Sequence, residues 1–125
     1  MNNEKDNVYD LVEDFYAHDE GWNTLLRQEY AEGFLRMEAW KGKKNSDLYR
    51  SWDNLTMLCL YLGSAETFLG DMNADDFIDC IAWCGRNISE FTPDYKNTQD
   101  FLETCDGLFK YLKGKNAISN DTVPA

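Results

Sequence analysis

One stretch of the sequence, residues 92–114, carries the signals of a complete amphipathic helix and constrains the fold most strongly. Thr92 is a good N-cap, and Pro93 suits the first helical position because its missing N–H is not needed there. Gly114 can adopt the left-handed conformation that ends a helix. Such a helix must bury one face, so other segments must cover it. The expected buried stripe consists of Tyr95, Thr98, Leu102, Cys105, Phe109 and Leu112, flanked by Phe101 and Leu108.

Four further segments show helical periodicity, with apolar residues recurring at steps of three and four, as Val8, Leu11, Val12 and Phe15 do in the first. The sequence has no strand-like alternation of useful length. It therefore predicts an all-α, single-domain bundle of about five helices over residues 1–125, with a frayed tail at 115–125. The additional helices are expected over residues 5–19, 22–40, 47–62 and 74–89, with a short helical turn at 64–70.

Local signals set the expected ends of these helices. Gly63 is expected to end the third helix, and Asn73 to cap the fourth, with acidic residues in its first turn. Ile118 is expected to fold back onto the last turn of the final helix. In the second helix, Leu35 lies off the expected buried stripe, which consists of Trp22, Leu26, Tyr30, Met37 and Trp40.

The charge of the chain is strongly negative and unevenly distributed. The formal net charge is −11, of which residues 1–40 contribute −7, residues 41–63 contribute +2 and residues 64–125 contribute −6. Such a surface repels phosphate backbones and anionic membranes. The charge serves solubility, attraction to a basic partner, or imitation of DNA. We expect no direct nucleic-acid binding.

The sequence indicates a cytoplasmic protein. Its first ten residues, MNNEKDNVYD, lack the apolar core of a signal peptide. No apolar run approaches the length needed to span a membrane. We therefore expect no membrane association.

Four cysteines are the first candidates for chemistry. Cys80 and Cys84 stand four residues apart on one predicted helix, a spacing that can hold a metal ion. However, Cys59, Cys80, Cys84 and Cys105 all lie in apolar helical stripes, whereas structural zinc is usually held by thiolates from loops and knuckles. A free buried cysteine behaves as a small hydrophobic residue. We therefore expect four reduced core cysteines.

Two other patterns resemble metal sites and fail on inspection. The segment Asp71–Asp75 begins like an EF-hand loop, but Asp76 replaces the required Gly and Ala82 replaces the bidentate Glu. His18, the one histidine, lies near Asp14 by helical spacing. Such a pair can bind a metal or transfer a proton, but a histidine at this place is also favoured by the helix dipole alone.

No set of residues indicates catalysis. The sequence contains no P-loop, no Gly-x-Gly-x-x-Gly and no second histidine. The basic segment Lys41, Lys43 and Lys44 is expected to be a solvated loop after a helix end. We therefore predict no enzyme, no cofactor and no catalytic, cofactor-binding or metal residues. A small metal or thiol enzyme using Cys80, Cys84 or His18 is the competing interpretation.

Residues 54–124 resemble the helical, SAM-like core-binding domain of tyrosine recombinases. The resemblance rests on the acidic-capped helix at 75–78 and on Leu108-Phe109-Lys110-Tyr111-Leu112, followed by Ile118, Ser119 and Asn120. It implies a shared small helical fold. Asp121, Thr122 and Val123 separate Asn120 from Pro124. We expect no catalytic domain, and the stretch is acidic where the family is basic. DNA binding and recombination are therefore not implied.

The sequence thus predicts a non-catalytic, acidic helical protein that acts as a protein–protein interaction or regulatory module. The expected partner is a protein with a basic surface. The alternative is a DNA mimic that inhibits a nucleic-acid-binding protein, of the phage or plasmid type.

Overall fold

The computed structural model describes residues 7–118 and places five α-helices in them. Over these residues there is no β-strand, which confirms the predicted all-α fold class. Also in this range, no helix is both long enough and apolar enough to cross a membrane. The helices are α1 (Val8–His18), α2 (Gln28–Trp40), α3 (Asn45–Ala65), α4 (Ala74–Asn87) and α5 (Tyr95–Gly114), with short 3₁₀-helices at Glu20–Thr24 and Leu69–Asp71.

The chain divides into two compact units, and the division falls between Asp53 and Asn54, within α3. The N-terminal unit contains α1, α2 and the beginning of α3. The C-terminal unit contains the remainder of α3 together with α4 and α5. The single domain predicted over residues 1–125 stays a prediction.

In the N-terminal unit, α1 is fixed at both ends by side chains. The Asn7 side chain accepts a hydrogen bond from the backbone N–H of Asp10 at 3.1 Å, as an N-cap does. The hydroxyl of buried Tyr16 donates to the backbone carbonyl of Leu26. This bond ties α1 to the segment that precedes α2. The predicted first helix is confirmed from Val8 to His18, while residues 5 and 6 lie outside the described range.

The predicted helix over residues 22–40 is wrong in its first part. The chain forms a 3₁₀-helix at Glu20–Thr24 and begins α2 at Gln28. The Asn23 side chain accepts the backbone N–H of Gln28 at 2.8 Å. Asparagine commonly competes in this way with a continuing helix.

This interruption resets the helical phase, so the predicted buried face of α2 is also wrong. Leu35, predicted to lie off the stripe, is fully buried, whereas Trp40 is 89% exposed. The residues of α2 that are buried are Ala31, Phe34 and Leu35.

In the C-terminal unit, α5 buries most of the face predicted for it. Its buried residues are Phe101, Thr104, Cys105, Leu108, Phe109 and Leu112. The Phe77 ring of α4 packs edge-on against Phe109, with centroids 5.4 Å apart. The first turn was predicted wrongly, because Tyr95 is 82% exposed, and Leu102 is only half-buried.

The ends of α5 differ from the sequence prediction. Asp94, not Thr92, is the N-cap, and its carboxylate accepts the backbone N–H of Asn97 at 2.8 Å. The side chain of Asn97 donates to the Thr92 carbonyl at 2.9 Å. At the other end the left-handed residue is Asn116, with φ 59°, and Gly114 is still helical.

The end of α3 also lies later than predicted. The helix continues through Gly63 to Ala65, and Glu66 takes the left-handed conformation with φ 54°. The predicted helical turn at 64–70 is therefore wrong at residues 66–68, which separate the end of α3 from the 3₁₀-helix that begins at Leu69. Helix α4 begins as predicted, because Asn73 and Asp76 form a reciprocal capping box.

The C-terminal segment after α5 runs close to the connection between α3 and α4. Ile118 is half-buried and lies near Gly70, where an added Cβ would stand 3.7 Å from Ile118 Cγ2. The predicted fold-back of Ile118 onto the last turn of α5 stays a prediction. Residues 119–125 of the predicted frayed tail lie outside the described range.

Candidate functional site

The N-terminal unit has an open groove of about 460 Å³, which we call the aromatic groove. Three rings, of Phe15, Trp22 and Trp52, line it together with Leu11. The remaining lining groups are polar and ionisable: Asp14, His18 and Asp53. Small-molecule and side-chain pockets typically combine such a largely apolar wall with a few polar groups.

The rings form one packed cluster centred on Phe15. The Trp22 ring stacks on Phe15, with centroids 4.8 Å apart and planes 17° apart. The Trp52 ring meets Phe15 edge-on, at 5.4 Å and 87°. Trp52 is buried, whereas Phe15 and Trp22 are partly exposed. Ring contacts of both kinds are favourable, so the groove wall is held in place.

Local structure explains how these residues come together. Residues 11, 14, 15 and 18 share one face of α1, because they are spaced at three and four residues. The Asp19 carboxylate accepts the backbone N–H of Gly21 at 2.8 Å, which caps the 3₁₀-helix that carries Trp22. Helix α3 supplies Trp52 and Asp53.

The carboxylates give the groove a negative character. Partial burial raises the pKa of Asp53 above its usual value of 3.8, because water solvates its charge less well there. Among the described residues, no lysine or arginine lines the groove. The groove is therefore an apolar surface with negative charge on it.

His18, the single histidine, lies at the end of α1, is exposed and lines the same groove as Asp14. The structure thus brings together the two residues that the sequence paired. Asp53 completes a set of three ionisable groups in the groove. Across residues 7–118, however, no group of three or more His, Cys, Asp or Glu residues is arranged to hold a metal ion.

The four cysteines are all buried free thiols in the C-terminal unit. Burial raises the pKa of Cys59 to about 12. A hydrogen bond between the thiols of Cys80 and Cys84, together with burial, raises the pKa of Cys80, and burial raises that of Cys105. The same hydrogen bond lowers the pKa of Cys84. All four thiols are nevertheless buried, and a thiol that solvent does not reach is a poor nucleophile and metal ligand.

The other candidate segments are local structure. Asn73 and Asp76, within and beside the EF-hand-like stretch, bind each other's backbone N–H groups at 3.0 and 2.9 Å, as helix caps do. Lys41, Lys43 and Lys44 are exposed in the connection between α2 and α3. The first of these segments starts α4, and the second carries solvated charge.

No protein-family model matches this chain, and no curated protein or solved structure is significantly similar to it. The resemblance to the recombinase core-binding domain stays a prediction. Its Leu108–Leu112 pattern lies within α5, while Asn120 and Pro124 lie outside the described residues.

Sequence reasoning missed the aromatic groove, because it assigned Phe15 and Trp22 to apolar helical stripes. A signal was nevertheless present: Asp14 precedes Phe15, and Asp53 follows Trp52. What the sequence did not show was that Trp22 belongs to a separate 3₁₀-helix, Glu20–Thr24, and not to α2. This 3₁₀-helix brings Trp22 against Phe15.

Proposed function

We propose that this protein is a non-catalytic protein-interaction module whose aromatic groove binds a partner protein with a basic surface. The observation that carries the proposal is the groove itself, which combines partly exposed aromatic rings with carboxylates. Aromatic residues are enriched at protein interfaces. The net charge of −11 steers positively charged partners toward this surface.

The state of the thiols supports a role without catalysis. Nucleophilic catalysis by cysteine requires an accessible thiolate. Cys80 and Cys84, the two cysteines of the competing thiol-enzyme interpretation, are both buried. Their mutual hydrogen bond raises the pKa of Cys80, which burial raises further, and lowers the pKa of Cys84. The thiol enzyme considered from the sequence therefore gains no support from these positions.

Site-specific crosslinking in cells tests the proposal. A photoreactive amino acid at position 11, where Leu11 is 39% exposed in the groove, should capture a basic protein. The matched control is position 78, because Ile78 is 62% exposed on α4 of the other unit. Capture should depend on Trp22 and weaken with salt. Equal capture from both positions, or capture that is unaffected by Trp22→Ala, would refute the proposal.

DNA mimicry is the second candidate, because the high negative charge is shared by both ends of the chain. A mimic presents charge over a wide surface to a basic groove. Its binding should therefore fall steeply with salt and be insensitive to Trp22→Ala. Capture by the aromatic groove should instead lose affinity with this substitution. The dependence of binding on salt and on the Trp22 ring thus distinguishes DNA mimicry from binding through the aromatic groove.

A further inference from the structure

The aromatic groove offers a bound cation two kinds of partner at once. Its wall contains the stacked rings of Phe15 and Trp22 and the ring of Trp52. Asp14 and Asp53 line the same groove. A cation near an aromatic face is attracted by the ring's electron distribution, and a carboxylate adds direct charge pairing.

We propose that the aromatic groove binds the guanidinium group of an arginine that projects from the basic partner. This inference rests on the proposed function and adds the side chain that is recognised. Guanidinium is planar, stacks on aromatic rings and pairs with carboxylates through a fixed fork of donors. It is also more weakly hydrated than an ammonium group, so it enters a partly apolar groove more readily.

The N-terminal unit already contains a contact of this kind. The guanidinium carbon of Arg36, on α2, lies 4.2 Å from the centroid of the Tyr9 ring on α1. Arginine packing on an aromatic face is thus compatible with the local charge of this unit. The aromatic groove provides more groups that attract a guanidinium than Tyr9 alone does, because three rings and two carboxylates line it.

Charge excludes an anionic occupant. Among the described residues, Asp14 and Asp53 line the groove and no lysine or arginine does, so these carboxylates repel a phosphate or carboxylate. Partial burial already disfavours the ionised form of Asp53 and raises its pKa. A cation bound beside this carboxylate favours its ionised form, which a neutral ligand does not do.

Nuclear magnetic resonance of the full chain tests this inference. The probe is N-acetyl-arginine methylamide, and the matched neutral probe is the citrulline derivative, which keeps the shape but lacks the charge. The indole N–H signals of Trp22 and Trp52 should shift with the arginine probe. Those of Trp40, which is 89% exposed on α2, and Trp83, on α4, should stay in place.

Substitutions in the aromatic groove show which side chains contribute to binding of the arginine probe. Trp22→Ala and Asp53→Asn should each weaken the arginine probe by about fivefold or more, and Trp22→Phe should retain part of the affinity because it keeps a ring. The controls are Trp40→Ala and Asp79→Asn, which remove an exposed ring and an exposed carboxylate elsewhere. Both should stay within about twofold of the parent. A dispersed spectrum for each variant verifies that it is folded.

Three outcomes would overturn the inference: equal binding of the citrulline probe, tighter binding of the corresponding lysine or trimethyllysine derivative, or equal losses in Asp79→Asn and Asp53→Asn. The two proposals fail separately. If crosslinking from position 11 captures a basic protein but the arginine probe does not bind, the guanidinium site is refuted and the interaction module stands. If the probe binds and crosslinking captures nothing, the interaction module is refuted and the groove keeps its guanidinium site.

Discussion

The side-chain amide of Asn54, on α3, donates a 2.9 Å hydrogen bond to the hydroxyl of Thr104, on α5. Both side chains are buried. The same amide donates to Asp100 at 3.0 Å, and the Thr104 hydroxyl donates to the Asp100 carbonyl at 3.1 Å. A polar network therefore links α3 to α5 inside the C-terminal unit.

The hydroxyl of Thr104 should matter more than its methyl group. We expect Thr104→Val to lower the free energy of unfolding by about 1–3 kcal/mol, because it leaves the buried amide of Asn54 one acceptor short. Thr104→Ser keeps the acceptor and should cost less. Urea unfolding of both variants measures the difference. A larger loss in the serine variant would show that methyl packing dominates at this position.

Two leucines of α5 should respond differently to truncation. Leu108 is fully buried, whereas Leu102 is half-buried. We expect Leu108→Ala to cost about 2–5 kcal/mol through lost burial and the resulting cavity, and Leu102→Ala to cost clearly less. Chemical denaturation of the two variants provides the comparison. Equal unfolding midpoints would mean that the buried face of α5 is assigned incorrectly.

The buried thiols should make the fold sensitive to alkali. The pKa of Cys59 rises from 9.0 to about 12 on folding, so the folded chain keeps a proton that the unfolded chain releases. Stability from this thiol is fully present below about pH 9 and falls as the pH rises toward the folded value, by about 1.4 kcal/mol per pH unit. Cys105, whose pKa is also raised, should add to the slope.

The measurement is the free energy of unfolding in urea between about pH 9 and 11. Cys59→Ala removes one of the responsible groups, so its stability should decline less steeply with pH than that of the parent. An unchanged slope would assign the alkaline loss to other residues, such as Tyr61, whose pKa burial also raises.

Salt should stabilise the protein, and nucleic acid should not bind it. The charge of −11 produces self-repulsion, which salt screens over a Debye length of about 10 Å at 0.1 M. Ion pairs such as Arg27–Glu29 and Lys110–Asp106 join largely exposed side chains and contribute little. The melting temperature should therefore rise from low to moderate NaCl.

A mobility-shift assay with duplex DNA is the companion measurement, because non-specific binding needs several cationic contacts. Binding at micromolar or lower concentration in physiological salt would contradict this expectation. A melting temperature that falls on adding NaCl would contradict the expected stabilisation by salt.

The sequence predicted helices well and interruptions poorly, for a physical reason. Periodicity reports which side chains share a face, so α4 and most of α5 were predicted correctly. The break before Gln28 depends on a hydrogen bond from its backbone to Asn23. Such a bond is one of several that an asparagine can make, and the sequence does not select it. Because the start of α2 was predicted wrongly, its buried face was predicted wrongly too.

The candidate site was harder to predict, because it depends on tertiary contacts. Phe15 and Trp52 are far apart in the chain, and their 5.4 Å edge contact requires α1 and α3 to pack together. Periodicity placed Phe15 on an apolar helical face, but its side chain is only half-buried. The degree of exposure that makes a groove depends on how neighbouring elements pack.

The left-handed Glu66 after α3 offers a way to recognise distant relatives of this chain. Glycine or asparagine suits such a position better than glutamate does, by roughly 1 kcal/mol. Homologous sequences should therefore often carry Gly or Asn at the position of Glu66. Seven residues later they should place a capping residue at the position of Asn73, followed three residues on by an acid. This spacing is set by the backbone, so it should persist where the core residues have diverged beyond detection.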